Sequence, residues 1–117
     1  MERNRILVVD DDPLIRGSLY EMLRGRSFDV EMASDGVEAI DHMQRRTFQL
    51  VIADWKMPQV DGIGLLAHIK RHYPDVSVVL VTGFGTVLSE VEAIRQGAFD
   101  YLTKPIQPEE LEATIQR

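Results

Sequence analysis

Six polar residues of this chain share one context: each stands at or just beyond the end of a short apolar run. Asp10, Asp11 and Asp12 follow the run at 6–9, Asp54 closes the run at 48–53, Thr82 follows 76–81, and Lys104 comes just after 99–102. Four aspartates drawn to one place would repel each other, so some must stay protonated or a cation must be recruited. A divalent cation is the simpler remedy. An all-oxygen ligand set, with no histidine or cysteine in the pattern, favours a hard ion, Mg²⁺ or Mn²⁺, that keeps several waters. A lysine and a threonine hydroxyl beside such an ion can supply charge and a hydrogen bond to the non-bridging oxygens of a phosphoryl group. A carboxylate can itself be the nucleophile for that group, giving an aspartyl phosphate, and Asp54 has the most enclosed approach. Taken singly, each residue has a plainer reading. Asp12 before Pro13 suits a helix cap, Asp10 and Asp11 suit solvated loop acids, Thr82 suits a strand end or cap, and Lys104 suits an exposed lysine. Their joint placement is what points to a site.

The elements that must position these residues follow from the spacing of the apolar positions. The run at 6–9, closed by three aspartates and Pro13, reads as a buried strand followed by a helix start. Ile15, Leu19, Met22 and Leu23 then recur at helical spacing, and Gly25 falls where a left-handed terminating residue is favoured. A second strand is expected at 28–33, with Ser34, Asp35 and Gly36 turning into a helix whose inner stripe is Val37, Ile40 and Met43. The third strand, 48–53, ends at Asp54. Pro58 and the Asp61-Gly62 turn separate it from a helix with Ile63, Leu66 and Ile69 inward. The fourth, 76–81, ends at Thr82 and Gly83. A helix from Thr86 follows, with the stripe Val87, Val91 and Ile94 and with Gly97 as its stop. The fifth, 99–102, leads through Thr103, Lys104 and Pro105 to a last helix starting near Pro108, where Glu109 and Glu110 suit the first turn.

Five strands alternate with five helices, and the most apolar strands lack the period-two alternation of a half-exposed sheet. The expected fold class is therefore α/β, doubly wound around a parallel sheet. Right-handed crossovers bring every strand's C-terminal end to one edge, which is where all six polar residues would gather.

Composition narrows the classes further. A chain of 117 residues fits one domain, 1–117, with a core large enough to stand without cross-links. The helical pattern reaches residue 117 without a stop signal, as expected for one domain of a longer protein. The absence of cysteine excludes disulfide scaffolds, thiol catalysis and cysteine zinc sites. A net charge of −6 argues against direct nucleic acid binding by this domain. No apolar run is long enough to span a membrane and no cleavage signal is evident, so a cytoplasmic location is expected.

Four segments in order, VVDD after the first strand, DWKMP at the third, VTG at the fourth and GAFDYLTKP around the fifth, resemble the receiver domain of two-component response regulators. The resemblance covers the whole chain. It implies a flavodoxin-like sheet of order 2-1-3-4-5 with helices on both faces. It also implies that Asp54 is the phosphoacceptor, taking a phosphoryl group from a phosphohistidine of a sensor histidine kinase. Asp11 and Asp54 are then direct Mg²⁺ ligands with the backbone carbonyl of Lys56, while Asp10, and Asp12 where it contributes, act through water. Thr82 and Lys104 grip the phosphoryl oxygens, Tyr101 is the aromatic that turns inward when the threonine moves, and Lys104-Pro105 is a cis peptide.

On the same resemblance, phosphorylation alters the surface of residues 86–96, the fifth strand and the last helix, controlling dimerisation or a fused output domain. Lys56 and Phe84, bulkier than small polar residues, are expected to restrict water's access to the phosphorylated acid. The GAFDYLTKP segment looks most like receivers fused to enhancer-binding ATPase activators of the NtrC type. Trp55 is left facing either a helix or solvent, Met22 and Met43 fit core stripes, and His42, His68 and His72 read as unrelated surface residues and not as ligands.

Three rivals are weaker. A haloacid-dehalogenase-like phosphatase would share the D-x-D of Asp10 and Asp12, but it wants a cap domain and a late pair of acids. A flavodoxin-like FMN carrier wants a hydroxyl-rich and glycine-rich phosphate loop after the first strand, and here that loop is acidic. A receiver fold acting only as an unphosphorylated binding module would have no use for the complete set of Asp54, Thr82 and Lys104.

Overall fold

Each apolar run folds as a short strand, and each stretch of helical spacing returns the chain to the same sheet edge. The computed structural model describes residues 4–57, 60–83 and 90–116. The strands are β1 (Arg5–Val9), β2 (Asp29–Ala33), β3 (Leu50–Asp54), β4 (Ser77–Thr82) and β5 (Asp100–Thr103). The helices are α1 (Pro13–Arg24), α2 (Gly36–Arg45), α3 (Gly62–His72), α4 (Glu90–Arg95) and α5 (Pro108–Gln116). All neighbouring strands pair parallel, in the order β2-β1-β3-β4-β5. The winding direction reverses between β1 and β3, and a crevice at such a reversal is where open α/β sheets place their chemistry.

Both faces of the sheet are covered, which explains the unbroken apolar runs. Leu7, Val9, Val51, Ala53, Val78 and Leu80 belong to one core with Ala39, Met43, Leu65, Leu66, Ile69 and Ala93 of α2, α3 and α4. Ile6, Val8, Ile52, Val79 and Val81 belong to the other, with Leu19 and Leu23 of α1 and Leu111 of α5. Successive strand residues point to opposite faces, so every position in the run finds a core. Among the described residues no helix is long and apolar enough to cross a membrane.

Several local expectations shift. The strands β2 to β5 begin one or two residues later than the apolar runs, and β3 and β4 end on Asp54 and Thr82 themselves. The stripe expected on α2 is displaced: Gly36, Ala39 and Met43 are buried, Ile40 is half-buried and Val37 is 50% exposed. On α4, Ala93 is buried while Val91 and Ile94 are exposed. Val87 and residues 86–89 lie outside the described residues. In both helices a small residue takes the inner position and lets the helix sit close to the sheet. A reading weighted by side-chain size favours the branched residues beside it.

The helix ends also differ in detail. Gly25 has φ −80 and is not left-handed; the positive φ, 68, falls on Ser27 two residues later, after the Arg26 N–H has bonded to the Leu23 carbonyl at 3.1 Å. Gly97 does stop α4 with φ 105, where an L side chain is rarely tolerated.

Candidate functional site

Three helix caps frame the upper edge of the sheet. Asp12 accepts from the Leu14 N–H at 2.9 Å, Asp35 from Glu38 at 2.7 Å and Asp61 from Gly64 at 2.8 Å. Asp12 therefore serves as the α1 cap, and its exposed carboxylate lies outside the tight acidic group. That group is Asp10, Asp11 and Asp54, each offering an oxygen within 4.8 Å of the others. Asp10 is 1% exposed, Asp54 is 6% exposed, and Asp11 is open to solvent.

Backbone bonds at the strand tips hold these residues in register. Asp10 N–H bonds the Ala33 carbonyl at 3.2 Å, Trp55 N–H the Val81 carbonyl at 2.8 Å, and Lys104 N–H the Thr82 carbonyl at 2.7 Å. Gly62 opens α3 directly beneath the acid: its N–H bonds the Trp55 carbonyl at 2.9 Å, and a Cβ there would lie 2.5 Å from the Asp54 carbonyl oxygen. The Lys104-Pro105 peptide is cis.

Lys104 reaches between the two buried acids, with Nζ 3.1 Å from Asp10 Oδ2 and 3.2 Å from Asp54 Oδ2. Burial raises the Asp54 carboxyl above the usual range, the Asp10 charge raises it further, and Lys104 with a backbone hydrogen bond from Lys56 pulls part of the way back. Burial alone would lower the Lys104 ammonium, but hydrogen bonds and charges from Asp10 and Asp54 leave it raised. Asp10 Oδ1 accepts the Asp12 N–H at 2.9 Å, whereas buried Asp10 Oδ2 is approached by the Lys104 ammonium alone. An under-coordinated buried carboxylate oxygen beside two further acids fits a hard divalent cation, and the donor set is all oxygen.

Thr82 is fully buried, and its hydroxyl donates to the Tyr101 phenol oxygen at 3.1 Å. Tyr101 is half-buried against the core formed with α2 to α4. The structure thus brings Asp10, Asp11, Asp54, Lys104, Thr82 and Tyr101 to one edge. The Lys56 side chain is exposed, and Phe84 lies outside the described residues.

Two features escaped the spacing argument. Arg16, one turn into α1, donates to the Asp10 carbonyl at 2.9 Å and so props the acidic loop, and Gly62 is needed for the close approach of α3. Neither leaves a periodic mark in the sequence. The histidines also differ from expectation. His42 is half-buried with Nδ1 2.8 Å from Glu31, which also pairs with Arg46, and the His68 and His72 rings lie 4.5 Å apart. No histidine joins the acidic group among the described residues. Trp55 packs on the core, with its buried indole N–H lacking a hydrogen-bond partner.

Acids and a lysine gathered at the switch point of a parallel sheet place the chain in the class of small doubly wound α/β domains. A family model described as the response regulator receiver domain matches residues 6–116, and the chain belongs to that family. Among curated proteins, the transcriptional regulatory protein ZraR of Klebsiella oxytoca is 38% identical over 97% of this chain and 26% of its own length. The DNA-binding transcriptional regulator NtrC of Escherichia coli is 35% identical over 100% of this chain and 25% of its own. The chain thus spans about a quarter of the length of these relatives. Among solved structures, NtrX from Brucella abortus superposes with a TM-score of 0.92 at 32% identity, covering 99% of this chain and 27% of that one. The signal receiver domain of an HD domain-containing protein from Pseudomonas fluorescens gives 0.91 at 32% identity, covering 98% and 93%.

Proposed function

We propose that this receiver domain is phosphorylated on Asp54 by the phosphohistidine of a sensor histidine kinase. The observation that carries the reading is the Lys104 ammonium held 3.2 Å from a buried Asp54 whose carboxylate oxygen lies within 4.8 Å of those of Asp10 and Asp11. In the transfer, an Asp54 carboxylate oxygen forms a bond to phosphorus as the phosphorus–nitrogen bond to the donor histidine breaks, leaving an acyl phosphate. Asp10, Asp11, Asp54 and the backbone carbonyl of Lys56 would hold Mg²⁺ or Mn²⁺, which when bound supplies positive charge against the carboxylates and the phosphoryl oxygens. Lys104 neutralises a non-bridging oxygen. Thr82 can donate to another only by giving up Tyr101, which receives its hydroxyl at 3.1 Å.

That exchange of partners is a two-state element, and phosphorylation biases it. The responding surface is α4, β5 and α5, and it controls self-association or a fused output domain. The names of the relatives, a transcriptional regulatory protein and a DNA-binding transcriptional regulator, support a transcriptional output of NtrC type, and a cytoplasmic location goes with that reading. Lys56 and Phe84 slow attack by water, so Phe84→Ala shortens the phosphorylated half-life; an unchanged half-life removes this role.

Intact-protein mass after incubation with Mg²⁺ and a small-molecule phosphodonor tests the reading. One added phosphoryl group that disappears in Asp54→Asn supports it. No addition, or addition indifferent to that change, overturns it.

A further inference from the structure

At the opposite end of β5 from Lys104 lies a buried carboxylate that has no part in handling the phosphoryl group. Asp100 is 8% exposed. Its Oδ1 accepts the Tyr101 N–H at 2.8 Å, and its Oδ2 accepts the hydroxyl of Thr114 at 3.1 Å. Thr114 is 3% exposed and stands in the last part of α5. One side chain thus joins the start of β5 to the end of the final helix.

The residue it holds on β5 is the one that reads the site. Tyr101 receives the Thr82 hydroxyl at 3.1 Å, and the Thr82 carbonyl receives the Lys104 N–H at 2.7 Å. The route from Thr82 to Thr114 is therefore hydrogen-bonded to the Tyr101 phenol, covalent through Tyr101 to its own backbone N–H, and hydrogen-bonded again through the Asp100 carboxylate to Thr114. The apolar contacts of α5, chiefly Leu111, are non-directional and would let the sheet shift beneath the helix. A buried carboxylate is costly to retain for stability alone, and a directional role that fixes one arrangement of two elements accounts for it better.

We propose that the Asp100 carboxylate and the Thr114 hydroxyl are a positioning pair that makes α5 follow Tyr101 when Thr82 changes partner. The inference rests on the reading of Asp54 as the phosphoacceptor and names the contact by which that event reaches the C-terminal helix. Without the pair, phosphorylation still proceeds and β5 still responds. The response stops there.

The test uses the chain with Mg²⁺ and a small-molecule phosphodonor, read by intact mass and by amide hydrogen exchange resolved to β5 and to residues 108–116. In the unaltered protein, phosphorylation changes exchange in both segments by about tenfold, within the usual span of coupling between sites. Thr114→Val deletes the hydroxyl and keeps the shape; it gains the same mass and keeps the β5 response but loses that of 108–116. Thr114→Ala repeats the deletion with a smaller side chain, and Thr114→Ser, which retains the hydroxyl, restores the response. A response of 108–116 that survives both deletions, or that is missing from the unaltered protein despite its mass gain, overturns the pair. Absence of the mass gain overturns the phosphoacceptor reading instead. The pair is then judged by urea unfolding of Thr114→Val, Tyr101→Phe and the double variant: non-additive effects support the link, and additivity refutes it.

Discussion

Lys104 Nζ stands 3.2 Å from Asp54 Oδ2 while remaining 3.1 Å from Asp10 Oδ2, so one ammonium answers two buried carboxylates. With Asp11 also within the cluster, negative charge is in excess. This imbalance sets the behaviour of the site before any phosphoryl group arrives.

Asp54→Asn is expected to stabilise the protein at neutral pH without divalent cations. The folded carboxyl is raised above 3.8 by burial first and the Asp10 charge second, so its ionised form is disfavoured by folding. The unfolded chain releases its proton near 3.8 and the folded chain at a higher pH. The cost of ionised Asp54 is therefore absent below 3.8, grows as pH rises toward the folded value, and is complete above it. Urea midpoints of both proteins between about pH 4 and pH 8, from the ordinary carboxylate value upward, check this; a variant no more stable than the parent at pH 7 refutes it.

Adding Mg²⁺ should narrow or invert that difference. A cation that binds the folded site but not the unfolded chain stabilises by mass action, about 2.7 kcal/mol when present at roughly a hundred times its dissociation constant. Asp11→Ala removes an exposed carboxylate of the proposed cation site that contributes little to packing, so it should leave cation-free stability near the parent's while abolishing the Mg²⁺ increment. An increment of equal size in Asp11→Ala would place the cation elsewhere.

Gly62→Ala tests the seat beneath the acceptor. The added Cβ would lie 2.5 Å from both the Asp54 carbonyl oxygen and the Trp55 Cα, so α3 or the tip of β3 must move. Overpacking of this kind costs about 1 to 3 kcal/mol. Since the displaced backbone carries Asp54, phosphorylation should slow as well. Gly17→Ala, whose Cβ meets nothing within 4 Å, is the control and should leave both quantities unchanged.

How far the chain could be read without coordinates depended on whether a feature was local. Asp10, Asp54, Thr82 and Lys104 end buried strands or follow them closely, and parallel topology alone brings strand ends together, so their convergence was legible. The inner faces of α2 and α4 were not, because Ala39 and Ala93 carry them beside larger residues that point outward. Arg16 under the Asp10 carbonyl, Glu31 with His42, and Asp100 with Thr114 join residues that share no period or motif. Such pairs arise only from the packing of one element on another. The resemblance supplied the sheet order, which spacing alone left open.

Leu14→Asp should separate the two sources of phosphoryl group. Leu14 is 83% exposed at the start of α1, and with Ile15, Pro105 and Ile106 it lines a groove that opens beside Lys104. A protein donor reaching Asp54 past this loop would cover that apolar surface, whereas a small phosphodonor would not. Transfer from the kinase should fall by at least about tenfold, as for an anchor residue worth about 1.4 kcal/mol or more. Phosphorylation by the small donor should stay unchanged. Equal loss with both donors would mean that the substitution damages the site itself.

The pair His68 and His72 gives a prediction away from the acids. Their rings lie 4.5 Å apart, and the His68 imidazole is lowered from 6.5 by burial first and by the neighbouring His72 charge second. Folding therefore favours neutral His68. On acidification the unfolded chain takes up this proton near 6.5 and the folded chain only at lower pH, so stability falls through that window and the loss is complete below the folded value. The ring resonances of His68, followed by NMR, should titrate below 6.5. His72→Ala removes the second cause and leaves burial in place, so the midpoint should rise only part of the way back. A His68 midpoint at or above 6.5, or one indifferent to His72→Ala, would show that the two rings do not share their charge environment.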